Sequence, residues 1–426
     1  MTIKLTSALE KHLVLEIVAG LHDTIPQYGF VFAHDFKWAD ELMKELPEDV
    51  KAKIDRFIGE RGLSQFIAGE IDNELDRTTG VPDIDKTLPI TQLPFLQNTL
   101  KYSRNLVEKL KHIPNRYILT VPLPEQFSEP LLNKVDEKTN LGPDISIIRG
   151  NLLEGHLPVT SEFIGVDVTL FRDYAEKRTH VQREWSDDRM YFSLPILGYE
   201  NASASSSLSR QLEDNLRAFY GAATAIGMLS YSWRPDAAKD AFVTGHSSGD
   251  NELRFTSKLE GELVRHNDRV STLEYARAHT DNLKADFNKG INLIATIFQK
   301  NIDCAKLFSA CIWYYRAYTN DRPLDALLQA TIAIETMLGD QKAAEGVGLT
   351  NLLASRCAFL LGRSSSHRAK IADDFKKIYA LRSAIVHEGR HLQKVGDREV
   401  LKLATDLCGS IILRELYIRR EQELKS

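Results

Sequence analysis

The sequence predicts an α+β N-terminal region followed by an all-α C-terminal helical bundle. Three observations carry that expectation. Short runs rich in β-branched and aromatic residues cluster between Arg116 and about Tyr199. Beyond Thr272 the apolar residues recur instead at spacings of three and four, the helical period. Short links punctuated by Gly and Pro then cut the C-terminal part into helices, which predicts antiparallel neighbours. The expected division is 1–270 as an α+β sensor or regulatory region, 271–301 as a bridging helix and 302–426 as the bundle.

The first 80 or so residues read as mostly helical, best at Leu9 to Leu21, Trp38 to Leu46 and Asp49 to Ile58. The apolar run Tyr28 to Phe32 reads as a short strand. Pro82, Pro89 and Pro94 break the next stretch, and a helix over Leu96 to Leu110 ends before Pro114. RYILTVPLP, ISIIRG, FIGVDVTLF and MYFSLPILGY are the strand candidates, separated by turn signals such as Gly142-Pro143. Ser209 with Glu213 sits near a helix start, and an amphipathic run from Leu212 to Leu229 follows. GHSSGDN, Gly245 to Asn251, reads as a loop, and Phe255 to Leu263 as another strand. Thr272 to Phe298 is expected to be helical and to bridge to the bundle.

Five helices are expected in the bundle. The first runs near Asp303 to Tyr318. The second begins around Asp321, with Pro323 in its first turn, and ends before Gly339. The third spans Thr350 to Gly362. The fourth starts among Ser364 to Ser366, and the fifth runs from Asp397 to about Glu421.

With 43% hydrophobic and 27% charged residues over 426, the composition is that of a globular protein of two or three domains. No apolar run approaches the roughly 20 residues a membrane span needs. Glu10, Lys11, His12 and Glu16 interrupt the apolar N-terminal part, so no signal peptide and no membrane partner are expected, and the expected location is cytoplasmic. The four cysteines form no C-x-x-C pair and fall in helical apolar patterns, which predicts buried free thiols. The net charge of −5 is unevenly spread: Ile302 to Ser426 carries 19 Lys and Arg against 15 Asp and Glu. Between Arg363 and Lys394 there are eight basic and three acidic residues, a stretch suited to a polyanion or to a solvated helix face.

That basic stretch contains IYALRSAIVHEGRH, Ile378 to His391, where the chemistry concentrates. Ile371, Phe375, Ile378 and Ile385 make an amphipathic stripe, and Arg382 falls inside it. A guanidinium on an apolar face requires an acid, a phosphate or a route to water. Tyr379, Ser383 and His387 follow at i, i+4 and i+8, so they share a strip beside Arg382. Gly389 is a natural C′ residue, placing the helix end just after His387. One helix end thus offers a permanent cation, a hydroxyl and the side chain that titrates near neutral pH.

The spacing R-x-x-x-x-H, with a polar residue directly after the Arg, resembles the motif of the HEPN superfamily. Asp303 to about Glu415 resembles its Apea-like branch, with echoes at WYYRAY (Trp313 to Tyr318), IAIETML (Ile332 to Leu338) and LLASRCAFLL (Leu352 to Leu361). The resemblance covers a little over a quarter of the chain. It implies a HEPN-like bundle that works as a homodimer and cleaves RNA without a metal or other cofactor, leaving a 2′,3′-cyclic phosphate. Arg382, His387 and Ser383 would be the catalytic residues, although Ser383 departs from the Asn or Asp frequent in the wider superfamily. Arg390 and His391 would contact the RNA backbone. By analogy with Apea-like proteins, the first 300 residues would sense an unknown trigger in anti-phage defence or abortive infection.

Other readings stay open. HEPN domains that do not cleave serve as dimerisation or RNA-binding scaffolds, in which case the N-terminal region carries the specificity. A toxin held by a separate antitoxin is a third reading. Glu335 and Arg356 also fall on apolar stripes, and are expected to form a polar core in which Glu335 neutralises one arginine. Trp313 to Tyr318 reads as core or dimer contact rather than as a base-stacking platform. Asp167, Asp173 and Glu176 read as solvated acids. No phosphate-binding loop occurs. GHSSG (Gly245 to Gly249) and HEGRH (His387 to His391) spell G-x-S-x-G and H-E-x-x-H, but the first falls in a predicted loop and the second spans the helix end expected at Gly389, and no metal site is expected.

Overall fold

The structure is a computed structural model of the chain. It describes residues 2–26, 31–59, 61–78, 87–124, 136–143, 145–153, 189–199, 207–231, 242–247, 253–258, 263, 270–271, 283–299, 304–388 and 395–425.

Helices open the chain. They are α1 (Ser7–Asp23), α2 (Lys37–Glu45), α3 (Glu48–Phe57), α4 (Gly62–Thr78) and α5 (Thr99–His112). Side chains set two of the starts: Thr6 accepts from the Leu9 N–H of α1, and Asn98 from the Lys101 N–H of α5. Their apolar faces, with Leu13, Phe36, Ile54, Phe66 and Leu106, close a core of their own. Val31 and Phe32, at the end of the expected first strand, instead lead into a 3₁₀ turn at Ala33–Phe36, and the Phe32 N–H donates to Asp35 Oδ2 at 2.9 Å.

The β part follows: β1 (Asn115–Pro122), β2 (Lys138–Asn140), β3 (Ser146–Arg149) and β4 (Met190–Gly198), all antiparallel. After α6 (Ser207–Ala225) come β5 (Ser230–Tyr231), β6 (Phe242–Ser247), β7 (Leu253–Lys258) and β8 (Val270–Ser271). The main sheet has the order β2-β3-β4-β1-β6-β7, and β5 pairs with β8. The predicted GHSSGDN loop is therefore partly strand. Gly245, His246 and Ser247 pair with Leu119, Ile118 and Tyr117 of β1. Gly245 and Ser247 are turn-forming residue types, but the free edge of β1 supplies ladder bonds that outweigh that local preference. FIGVDVTLF, with Asp167, Asp173 and Glu176, lies outside the described residues.

The C-terminal region is helical: α7 (Leu283–Ala295), α8 (Ala305–Thr319), α9 (Pro323–Leu338), α10 (Gln341–Ala344), α11 (Leu349–Leu361), α12 (Ser365–Glu388) and α13 (Val395–Glu423). Pro323 sits in the first turn of α9, where a missing N–H costs nothing. The short α10 has no counterpart among the predicted helices. Among the described residues no helix is long and apolar enough to cross a membrane.

One buried face of the sheet, with Tyr117, Leu119, Val121, Phe192 and Leu194, shares a continuous core with α6, α7 and the C-terminal helices. An aromatic chain crosses it. Phe192 of β4 lies 5.5 Å from Phe219 of α6, and the neighbouring Tyr220 stacks at 5.7 Å on Tyr315 of α8. Tyr314 and Tyr315, in the middle of the WYYRAY run, are thus core residues, whereas Trp313 lies partly buried beneath the Arg316 guanidinium, 5.2 Å from its ring. Tyr199, just past β4, reaches the other way: its hydroxyl donates at 2.8 Å to Glu70, which also pairs with Lys109 of α5. This ties the strand end to the N-terminal helices.

Candidate functional site

The motif lies on α12. Ile371, Phe375, Ile378 and Leu381 bury its apolar stripe against the bundle, and each such side chain contributes about 1.5–3 kcal/mol. Ile385 is partly buried at the end of that stripe. The helix reaches Glu388, and Gly389, the expected capping residue, lies outside the described residues.

Arg382 sits at the margin of this buried stripe, with 23% of its side chain exposed. Its position resolves the demand made by a cation on an apolar face. Glu335 of α9 stands opposite, Nη2 to Oε1 at 3.8 Å, with 25% of its side chain exposed. The Tyr379 ring, one turn back, takes the guanidinium carbon over its face at 5.5 Å. Tyr379 in turn stacks on Phe375 at 5.7 Å. Burial first, and then the Glu335 carboxylate, push the Tyr379 hydroxyl above its ordinary range, with Arg382 opposing. The phenol is therefore a neutral donor. Two atoms of this cluster, Glu335 Oε1 and Arg382 Nε, are buried without a hydrogen bond.

Ser383 is half-buried and His387 is exposed. Five residues of helix separate Arg382 from His387, an advance of about 7.5 Å and a turn of about 140°. The two side chains therefore leave the helix on different faces, Arg382 toward α9 and His387 toward solvent. Ser383 lies between them in rotation, one turn below His387.

Arg356 was expected beside Glu335 in a polar core, but the structure places it at the bundle margin with 37% of its side chain exposed. Its Nη1 donates to the Leu338 carbonyl at 2.6 Å, satisfying the C-terminus of α9, and its Nη2 meets Asp340 Oδ2 at 3.5 Å. Of the two arginines, Arg382 is the one that faces Glu335. Glu335 is itself only partly buried, with 25% of its side chain exposed. Arg390 and His391 lie outside the described residues.

Sequence reasoning placed Tyr379 on the strip beside Arg382 but gave it no role, and it left out Asp340. Tyr379 precedes Arg382 by three, a helical contact spacing that could have identified it as the platform for the guanidinium. Asp340, at the start of α10, could not have been paired with Arg356 from spacing alone. Among the described residues no three or more His, Cys, Asp or Glu side chains gather closely enough to hold a metal ion. Compared with protein-family models, curated proteins and solved structures, the chain matches none of them.

Proposed function

We propose that the C-terminal bundle is a metal-independent endoribonuclease. The observation that carries this reading is the state of Arg382: a permanent cation at the margin of the core, held by a ring face and a loose ion pair, with its Nε unbonded. Such a guanidinium is suited to a phosphate, which accepts two parallel N–H bonds. The resemblance of R-x-x-x-x-H to the HEPN motif supports the same reading.

In this reaction the ribose 2′-oxygen attacks the adjacent phosphorus, and the P–O5′ bond breaks. The products are a 2′,3′-cyclic phosphate and a 5′-hydroxyl. One proton leaves the 2′-hydroxyl and one arrives at O5′. His387 moves protons, Arg382 stabilises the phosphorane charge and Ser383 orients either group. Arg382 and His387 point away from one another on a single helix, and a homodimer in which the two α12 helices meet would let the groups of both copies converge on one phosphate. The N-terminal region would sense a trigger and restrain the nuclease, as in defence against phage.

Incubation of the protein with total RNA and tRNA in EDTA tests the chemistry. Cleavage by wild type and none by His387→Ala is the expected outcome. Cleavage that returns only with an added divalent ion overturns the mechanism. A bundle that binds RNA without cutting it supports the scaffold reading instead.

A further inference from the structure

Glu335 lies too far from Arg382 for the role usually assigned to such an acid. A carboxylate that orients an arginine bonds it at about 2.7–2.9 Å and satisfies both partners. Here the closest approach is 3.8 Å, and neither Glu335 Oε1 nor Arg382 Nε has a hydrogen bond, although both atoms are buried. Leaving such atoms unbonded is costly. The Tyr379 face also supports the guanidinium, at 5.5 Å.

The edge concerned is informative. Nε and Nη2 lie side by side on the guanidinium, and together they form the fork that clasps an oxyanion side-on. Nη2 is the atom turned toward Glu335, and Nε is the atom left unbonded. The carboxylate therefore stands 3.8 Å from the Nη2 end of the edge that a phosphodiester would take, without bonding to it. In a partly desolvated setting two like charges repel strongly, so a phosphate arriving there meets an opposing anion.

We propose that Glu335 is a specificity-determining residue that competes with phosphate for the Nε–Nη2 edge of Arg382. The inference rests on the reading of Arg382 as a phosphate ligand. Glu335 neutralises the cation in the empty site and penalises an anion that brings no other contacts. Free phosphate and short fragments are thereby disfavoured against a long RNA held at further points. Tyr379, a neutral donor beside Glu335, remains able to bond whichever anion is present.

The test uses the full chain and a short fluorescent 2′-O-methyl RNA, which lacks the attacking hydroxyl and stays intact. Anisotropy compares wild type, Glu335→Gln, Arg382→Gln and the double variant, and inorganic phosphate serves as competitor. Glu335→Gln is expected to bind the RNA about tenfold tighter and to be displaced by less phosphate, a change of about 1.4 kcal/mol. The double variant is expected to lose that gain. Unchanged or weaker binding by Glu335→Gln overturns the proposal. Should Glu335→Gln fail to fold, Glu335→Asp withdraws the charge by one methylene. It is then expected to bind tighter by a smaller factor, and no gain overturns the proposal likewise. If Arg382→Gln loses binding while Glu335→Gln gains none, only the competition fails. If Arg382→Gln binds as wild type does, the phosphate reading of Arg382 fails with it.

Discussion

Gly221 of α6 meets the backbone of Cys311 of α8 so closely that an added methyl group would stand 2.0 Å from the Cys311 carbonyl oxygen. The obstacle is backbone rather than a flexible side-chain tip, so one helix must move. Because α6 joins the sheet to the bundle within one core, Gly221→Ala is expected to lower stability by about 1–3 kcal/mol or more. A thermal melt equal to that of wild type would show that the two helices separate without cost.

Arg356 and Asp340 stabilise the passage from α9 to α10. Asp340 accepts from the Ala343 N–H at 3.2 Å, and that bond, followed by Arg356, holds its carboxyl below the ordinary range. A depressed folded value contributes stability above the unfolded value and loses it as pH falls through the folded one. Asp340→Ala is expected to melt below wild type at neutral pH, with the gap closing as acid protonates the wild-type carboxyl. A gap independent of pH would assign the loss to geometry alone.

Chemistry and stability separate at α12. His387 is exposed, so His387→Ala is expected to cost less than about 1 kcal/mol while abolishing RNA cleavage. Arg382→Lys keeps the charge but not the planar fork, and is expected to fold and lose activity. Melts and cleavage assays on the same preparations decide. Normal cleavage by His387→Ala ends the nuclease reading, and unfolding of both variants makes the motif structural.

A homodimer through α12 is the expected oligomer, because one copy presents Arg382 and His387 on different faces. Sedimentation at micromolar concentration measures it. A monomer that retains full cleavage activity would refute the composite site.

The cysteines report on the bundle core. Cys304, Cys311, Cys357 and Cys408 form no disulfide and are buried, and burial pushes the Cys357 thiol up to about 12. Burial likewise raises Cys311 and Cys408. Native protein is expected to resist a thiol reagent at neutral pH, and denatured protein to react at all four. Because the folded values are raised, stability declines as pH climbs above the ordinary thiol value of about 8.5. Rapid labelling of the native state would reveal an opening of the bundle.

The helices of the bundle were legible because each is written locally. Pro323 and Gly339 bracket α9, and Leu349–Leu361 and Ser365–Glu388 lie within a residue or two of the expected bounds. Ile371, Phe375 and Ile378 announced the buried stripe of α12 by period alone, and Arg382 stood out as the charge within it. Strand runs such as RYILTVPLP were equally plain. What lay beyond the sequence was every choice among distant partners. Gly245 to Ser247 became strand because β1 offered an edge, not because their side chains favour one. Glu335 faces Arg382 rather than Arg356 because packing of α9 against α12 selects one arginine, while the turn into α10 brings Asp340 and the Leu338 carbonyl to the other. Periodicity assigns a side chain to a face of its own helix. Only the packing of that face against another element decides which charge it meets, at what distance, and how much water remains between them.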